Sequence, residues 1–221
     1  MLNLPPRPRV LIVDDEPLQR CFAQRVLAAA GWQAEAVAEG AAAVAALDEP
    51  AALVLLDLHM AGMDGAATLA AMRAASRNAA VPVIAFTATR LEDVAPLLAR
   101  GFDDYLAKPC TAAELLACAE RWRPRAQGVE ADWLQRVFGR AEIDALLARF
   151  RDLLVEGLAA TASGEAVGLA HRVAGIAGTL GFTTLGRAWL DHSEGRGERF
   201  GLRRDTRLAI GAIDRLLGTG A

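Results

Sequence analysis

A run of apolar residues, Ala52 to Leu56, leads directly into Asp57 and constrains the fold more than any other stretch of the chain. A small-residue loop follows it at residues 61–65. A short continuous run rich in valine and leucine predicts a strand that is buried on both faces, as in a parallel sheet. Because ligands of such sheets bind at the carboxyl ends of the strands, Asp57 is the first candidate for a functional residue.

Strand and helix patterns alternate five times between residues 9 and 122. Strands are predicted at 9–13, 32–38, 52–56, 81–86 and 105–107, and helices at 18–27, 40–47, 64–72, 90–100 and 112–122. This alternation predicts right-handed crossovers and a parallel α/β sheet. The carboxyl ends of its strands should bring together residues that are distant in sequence, namely Asp14, Asp15, Asp57, Thr87 and Lys108.

The residues at these strand ends predict a phosphoryl-transfer site. Clustered carboxylates repel one another unless a cation lies among them, and an acidic pocket lined by oxygen atoms suits Mg²⁺. Lys108 is the one lysine among 24 basic residues, and a compact ammonium is chemically distinct from a guanidinium. We expect Lys108 and the Thr87 hydroxyl to contact phosphoryl oxygens, with Asp57 as the acceptor.

Residues 9–122 resemble the receiver domain of two-component response regulators. The resemblance is carried by the pair Asp14-Asp15, by Asp57 and Thr87, by Tyr105, and by the dipeptide Lys108-Pro109. It implies a flavodoxin-like, doubly wound sheet of five parallel strands in the order 2-1-3-4-5. It also implies a cis peptide bond before Pro109 and a switch formed by Thr87 and Tyr105.

The same resemblance implies a metal site. Mg²⁺ would be held by Asp15, Asp57 and the carbonyl of His59, and Asp14 would act through water. His59 and Thr89 occupy positions that tune the phosphoryl lifetime in the family. Ala61 departs from the pattern, because the family usually has proline there, and this predicts a looser loop.

Each of these residues has a simpler interpretation when it is considered alone. Asp14-Asp15 before Pro17 could cap a helix, Thr87 could end a strand, and Tyr105 could belong to the core. Their coincidence at four strand ends favours the functional interpretation of the whole set.

Charged residues, proline and glycine interrupt the helical pattern at residues 124–128 and predict a linker. The predicted domains are therefore a receiver at 1–123 and a second domain at 129–221. Helices are predicted in the second domain at 131–137, 142–158, 165–180, 184–193 and 202–217. With no strand pattern among them, an antiparallel helical bundle is the expected fold.

The helix around His171 carries an unusual face. Gly168, Gly175 and Gly178 lie on the same side as the histidine, at offsets of −3, +4 and +7. Interior glycines cost a helix about 1 kcal/mol each relative to alanine. An unobstructed imidazole suits in-line group transfer, which would justify this cost. The alternative is that the glycines allow close helix packing and that His171 is structural.

Residues 170–181 resemble the signature of histidine-containing phosphotransfer (HPt) domains. The resemblance implies that His171 carries a phosphoryl group on nitrogen without nucleotide-binding machinery. Ala174 departs from the pattern, because the family usually has lysine three residues after the histidine. The absence of this lysine predicts weaker stabilisation of the phosphate.

Together these features predict a cytoplasmic two-component phosphorelay protein that carries phosphate and is not an enzyme. Its expected partners are a histidine kinase, in particular a hybrid kinase, and a further receiver. Residues 1–128 hold 12 basic and 15 acidic residues and residues 129–221 hold 12 of each, which disfavours nucleic-acid binding and a transcription factor. No membrane insertion is expected, because no window approaches eighteen apolar residues, and three unpatterned cysteines suggest a reducing compartment.

Two alternatives remain at this stage. In the first, the second domain is an HPt-like module that docks partners or dimerises without carrying phosphate. In the second, the chain is an aspartyl-phosphate hydrolase. This second alternative is disfavoured because such enzymes usually have an aspartate two residues after the nucleophile, where this chain has His59.

Overall fold

The computed structural model describes residues 7–74, 80–89, 94–124, 136, 138–163, 166–196 and 199–218. The chain divides into two compact units, Met1–Pro124 and Arg125–Ala221. No helix among the described residues is long and apolar enough to cross a membrane.

The first unit contains a parallel sheet of five strands in the order β2-β1-β3-β4-β5, which confirms the predicted topology. The strands are β1 (Arg9–Val13), β2 (Gln33–Val37), β3 (Leu53–Leu56), β4 (Val83–Thr87) and β5 (Asp104–Ala107). The helices are α1 (Pro17–Ala29), α2 (Gly40–Ala46), α3 (Gly65–Ala74), α4 (Ala95–Ala99) and α5 (Ala112–Arg121).

The three central strands are buried along their whole length, as their apolar sequences predict. One apolar cluster lies on the sheet face covered by α2 and α3, and a second lies on the face covered by α1 and α5. Strand β4 runs on to Thr87 because the Thr87 carbonyl accepts a hydrogen bond from the Lys108 amide. Residues 90–93 of the predicted helix 90–100 lie outside the described residues.

The second unit is helical in its described part. Its helices are α6 (Arg140–Ser163), α7 (Val167–Thr179), α8 (Thr183–Ser193) and α9 (Arg199–Leu217). Helix α7 packs against α6 and α8, and α9 packs against the same two helices. Most of the predicted helix 131–137 lies outside the described residues, and the antiparallel bundle stays a prediction.

Glycines allow close contacts inside this helical unit. A Cβ atom on Gly186 of α8 would lie 3.2 Å from the carbonyl oxygen of Ala174 on α7. A Cβ atom on Gly157 of α6 would lie 2.6 Å from the ring of Trp189. Tight helix packing therefore uses Gly157 and Gly186, two glycines that do not neighbour His171 in sequence.

Candidate functional site

Acidic side chains and one ammonium group meet at the carboxyl edge of the sheet. Lys108 Nζ donates to Asp14 Oδ2 at 2.5 Å and to Asp57 Oδ2 at 2.6 Å. All three residues are buried, so these ion pairs are poorly screened by solvent. Strands β1, β3 and β5 thus place three charged groups, far apart in sequence, within direct contact of one another.

Backbone amides hold the carboxylates in fixed orientations. The amide of Glu16 donates to Asp14 Oδ1 at 2.9 Å, and the amide of His59 donates to Asp57 Oδ1 at 3.0 Å. The amide of Ala61 donates to Asp15 Oδ2 at 3.1 Å. Each bond connects a carboxylate to the loop that follows β1 or β3.

These carboxylates fit a hard divalent cation. Oxygen atoms of Asp14, Asp15 and Asp57 all lie within 4.8 Å of one another. Mg²⁺ prefers carboxylate oxygens and usually keeps several waters, and Asp15 is exposed at the edge of this cluster. The contribution of the His59 carbonyl stays a prediction, whereas the His59 amide contacts Asp57 directly.

Two residues that the sequence reasoning missed shape this pocket. The Phe86 ring centroid lies 4.8 Å from Lys108 Nζ, so an aromatic face contributes to the setting of the ammonium group. Gly65 begins α3 where a Cβ atom would lie only 2.3 Å from the carbonyl oxygen of Asp57. Helix α3 therefore starts directly against Asp57, and the glycine that follows Asp64 was the available signal in the sequence.

The peptide bond between Lys108 and Pro109 is cis, as the resemblance implied. Cys110 follows it. Burial raises the pKa of the Cys110 thiol and the Glu114 carboxylate raises it further, although Lys108 opposes both effects. This shift of the pKa favours the neutral thiol over the thiolate, which is the reactive form of cysteine.

The two predicted switch residues meet at Thr89. Thr87 is fully buried, and its Oγ1 accepts from the Thr89 amide at 3.4 Å. The Tyr105 hydroxyl donates to the Thr89 carbonyl at 2.8 Å. His59 Nε2 lies 3.0 Å from Thr89 Oγ1, within hydrogen-bond distance. The structure thus joins Thr87, Tyr105 and His59 through Thr89, which the sequence analysis placed only beside the site.

His171 lies on the exposed face of α7. Among the described residues its ring makes no hydrogen bond or ion pair. Gly168, Gly175 and Gly178 share this exposed face, and a Cβ atom on any of them would meet no described atom within 4 Å. The alternative that these glycines allow helices to pack is therefore wrong for the described part of the unit.

The opposite side of α7 faces the core. Val173 and Leu180 are buried, and Leu169 and Ile176 are partly buried, as the predicted apolar stripe requires. Ala174 is partly buried and lies against Gly186 of α8. It provides no charge at the position where the resemblance to HPt domains implies a lysine.

Comparisons with known proteins bear on the first unit. Residues 10–120 match the family model described as the response regulator receiver domain. Sensor protein GacS of Pseudomonas syringae pv. syringae is 41% identical over 120 residues, which cover 52% of this chain and 13% of the relative. DNA-binding response regulator MtrA of Mycolicibacterium smegmatis is 36% identical over 140 residues, which cover 62% of this chain and 59% of the relative.

A solved structure has a similar fold over about half of this chain. Chemotaxis protein CheY4 of Vibrio cholerae aligns with a TM-score of 0.50 and 27% identity, covering 52% of this chain and 98% of that one. The chain spans less than two thirds of the length of the curated relatives named above. The family model matches residues within the unit that contains Asp57, and the alignments cover only part of the two curated relatives.

Proposed function

The chain belongs to the response regulator receiver family of two-component signalling, and we propose that it is a phosphorelay protein that carries phosphate on Asp57 and on His171. The observation that carries this proposal is the contact of Lys108 with both Asp14 and Asp57 at the carboxyl edge of the sheet. A lysine shared by two buried carboxylates holds positive charge where phosphoryl oxygens would come to lie.

At the first site an oxygen of the Asp57 carboxylate attacks phosphorus. A P–O bond forms while the bond from phosphorus to the donor nitrogen breaks, and the electron pair returns to the donor imidazole. Lys108 then pairs with phosphoryl oxygens, and the buried Thr87 hydroxyl donates to another of them. Bound at Asp14, Asp15 and Asp57, Mg²⁺ would supply further neutralisation of the developing charge.

Hydrogen bonds to both oxygens of Asp57 fix the orientation of its carboxylate. Asp57 Oδ1 is held by the His59 amide, and Oδ2 is held by Lys108 Nζ. Because the carboxylate cannot rotate without losing both bonds, it is presented in one orientation, and orientation supplies much of the rate of such transfers. Among the described residues, Asp15 accepts a single hydrogen bond, from the backbone amide of Ala61.

The second site is His171. An exposed imidazole on a rigid helix, with no neighbouring side chain at three positions of its face, can be approached closely by an aspartyl phosphate. We assign it the role of a nitrogen-linked phosphoryl carrier. In this proposal the chain only transfers phosphate, without turnover of its own, between a histidine kinase, such as a hybrid kinase, and a second receiver.

The first test concerns Asp57. The full chain is incubated with acetyl phosphate and Mg²⁺, and the modified residue is mapped by mass spectrometry. We expect one alkali-labile phosphate on Asp57 and none in Asp57→Ala. A wild-type chain that never acquires this label would refute the proposal for the first site.

The second test separates phosphate carriage from docking. The docking alternative is favoured by one observation, the absence of a cation at Ala174. Asp57→Ala is supplied with a phosphorylated receiver, and His171→Ala in the same background is the control. Acid-labile, alkali-stable label that disappears in the control supports carriage, whereas binding of the receiver without label supports docking.

A further inference from the structure

Arg20 of α1 contacts the loop that carries two of the three clustered carboxylates. Its Nη1 donates to the carbonyl oxygen of Asp14 at 2.6 Å. That carbonyl belongs to the peptide bond between Asp14 and Asp15, so the guanidinium binds the backbone that joins two of the residues proposed to hold Mg²⁺. A charged donor makes a stronger hydrogen bond than a neutral one, which favours a fixed position for this peptide.

The geometry of α1 explains why the Arg20 side chain reaches this loop. Helix α1 begins at Pro17, and the backbone amide of Arg20 donates to the Glu16 carbonyl at 3.1 Å. Side chains of a helix lean toward its N-terminus, so the side chain of Arg20 extends back over the first turn toward the end of β1. Arg20 is partly buried there.

The peptide that Arg20 holds lies between a fixed residue and an exposed one. The Asp14 amide donates to the Val37 carbonyl of β2 at 3.2 Å, which attaches Asp14 to the sheet. Asp15 is exposed, and its carboxylate accepts from the Ala61 amide at 3.1 Å. The position of the Asp15 carboxylate therefore depends on the plane of the peptide that Arg20 contacts.

We propose that Arg20 is a positioning residue of the metal site, which holds the peptide between Asp14 and Asp15 so that both carboxylates face one cation. The inference rests on the proposed function of this site and adds a residue that acts through a backbone oxygen. Groups that orient metal ligands in this way raise the affinity for the metal.

The charge of Arg20 predicts the opposite effect. A guanidinium beside clustered carboxylates repels Mg²⁺, so removal of the charge alone would strengthen binding of the ion. Removal of a group that positions the loop would weaken it. The direction of the change in Mg²⁺ affinity therefore distinguishes the two roles.

The experiment uses Lys108 as the reporter, because it is the single lysine of the chain and contacts both Asp14 and Asp57. The full chain is prepared with lysine carrying ¹³C at Cε, and its NMR signal is followed during titration with MgCl₂ without phosphodonor. Arg20→Leu removes the donor and the charge, whereas Arg20→Gln retains an amide donor. Arg25→Leu is the matched control, since Arg25 is an exposed arginine of α1 that makes no hydrogen bond or ion pair with the described residues.

We expect the dissociation constant for Mg²⁺ to rise about 10-fold in Arg20→Leu, as when a partner of a metal ligand is lost, and to rise less in Arg20→Gln. Arg25→Leu should bind Mg²⁺ as the wild-type chain does. At saturating MgCl₂ the Lys108 signal of Arg20→Leu should reach the wild-type position, because the carboxylates themselves are unchanged.

Unchanged or tighter binding in Arg20→Leu, or an equal loss in Arg25→Leu, would overturn the proposal. So would a loss of affinity confined to variants that circular dichroism shows to be unfolded. A wild-type signal that MgCl₂ leaves unmoved would overturn it together with the metal site. Because no phosphodonor is present, these results are independent of whether Asp57 accepts phosphate.

Discussion

Asp57 and His171 have opposite surroundings. Asp57 is buried, it receives one hydrogen bond from a backbone amide and one from Lys108, and two further carboxylates lie within reach of a shared cation. His171 is exposed, makes no hydrogen bond or ion pair with any described residue, and neighbours three glycines whose missing side chains leave open space.

In the proposed relay, the two residues would be prepared for phosphate in two different ways. A carboxylate is a weak nucleophile, and the charge that develops during its reaction needs a fixed positive group, which Lys108 provides beside Asp57. An imidazole is a better nucleophile in its neutral form, and what it requires is close approach of a donor. Side chains that contact Asp57 form the first site, whereas the second site is an imidazole whose neighbouring helix positions have no side chains.

Chelation of divalent ions should produce the largest difference in phosphate labelling between Asp57 and His171. With excess chelator, labelling of Asp57 by acetyl phosphate should disappear, because the clustered carboxylates would lack the cation that neutralises the incoming phosphate. Labelling of His171 by phosphoramidate should continue unchanged, since no acidic cluster neighbours it among the described residues. Phosphosite mapping with and without added Mg²⁺ measures both, and equal loss at both sites would contradict this contrast.

Substitution Lys108→Arg should have the next largest effect. The guanidinium retains the charge but is planar and wider, so it cannot bridge Asp14 and Asp57 as one ammonium does at 2.5 and 2.6 Å. We expect the rate of Asp57 phosphorylation to fall about 10²–10³-fold, as when one transition-state donor is lost. Stopped-flow measurement of acetyl phosphate uptake tests this.

The matched control for that substitution lies in the other unit. Arg172→Lys changes an exposed basic residue beside His171 and should leave the rate at Asp57 unchanged. If Lys108→Arg accepted phosphate at the wild-type rate, charge alone would suffice and the shared position of the ammonium would have no catalytic role.

Substitution Gly65→Ala tests how tightly the acceptor is packed. The new Cβ would lie 2.3 Å from the Asp57 carbonyl oxygen and 2.7 Å from Leu58 Cα, which are backbone atoms that can yield only by moving the loop. We expect a loss of about 1–3 kcal/mol in the free energy of unfolding, the usual cost of overpacking. Urea denaturation measures it, and an unchanged midpoint would show that the loop relaxes without cost.

Sequence reasoning was most successful for features that recur as a local pattern of residues along the chain. Buried strands ending in Asp57 and Thr87 are visible as apolar runs that stop at a polar residue, and the parallel sheet follows from the alternation of elements. The order of its strands, by contrast, was implied by the resemblance to receiver domains. The lone lysine indicated Lys108 before any contact was known. These features depend on local pattern and on a topology with few alternatives.

The contacts at Thr89, Phe86 and Gly65 could not be predicted in the same way. Each depends on which side chains meet across separate strand ends, and the sequence gives no distance between them. Likewise, the spacing of Gly168, Gly175 and Gly178 allowed two interpretations, close helix packing or an open face. Only the positions of the neighbouring helices decide between them, because the same pattern fits both.

Substitution Gly175→Ala is the counterpart of Gly65→Ala and should change the free energy of unfolding in the opposite direction. The new methyl group meets no described atom within 4 Å, and Gly175 has no left-handed backbone conformation that would oppose it. An alanine in a helix interior is favoured by about 1 kcal/mol over glycine, so the free energy of unfolding should rise by about that amount. Urea denaturation of the full chain checks this.

Gly175→Ala also tests whether the open face of α7 has a role in phosphate transfer to His171. One methyl group should leave labelling of His171 by phosphoramidate intact, because the reagent is small, but should slow labelling by a phosphorylated receiver that must approach the helix closely. A stabilised chain with both rates unchanged would show that the face has no role in transfer. A destabilised chain would show that Gly175 packs against something, and the contrast with Asp57 would then fail.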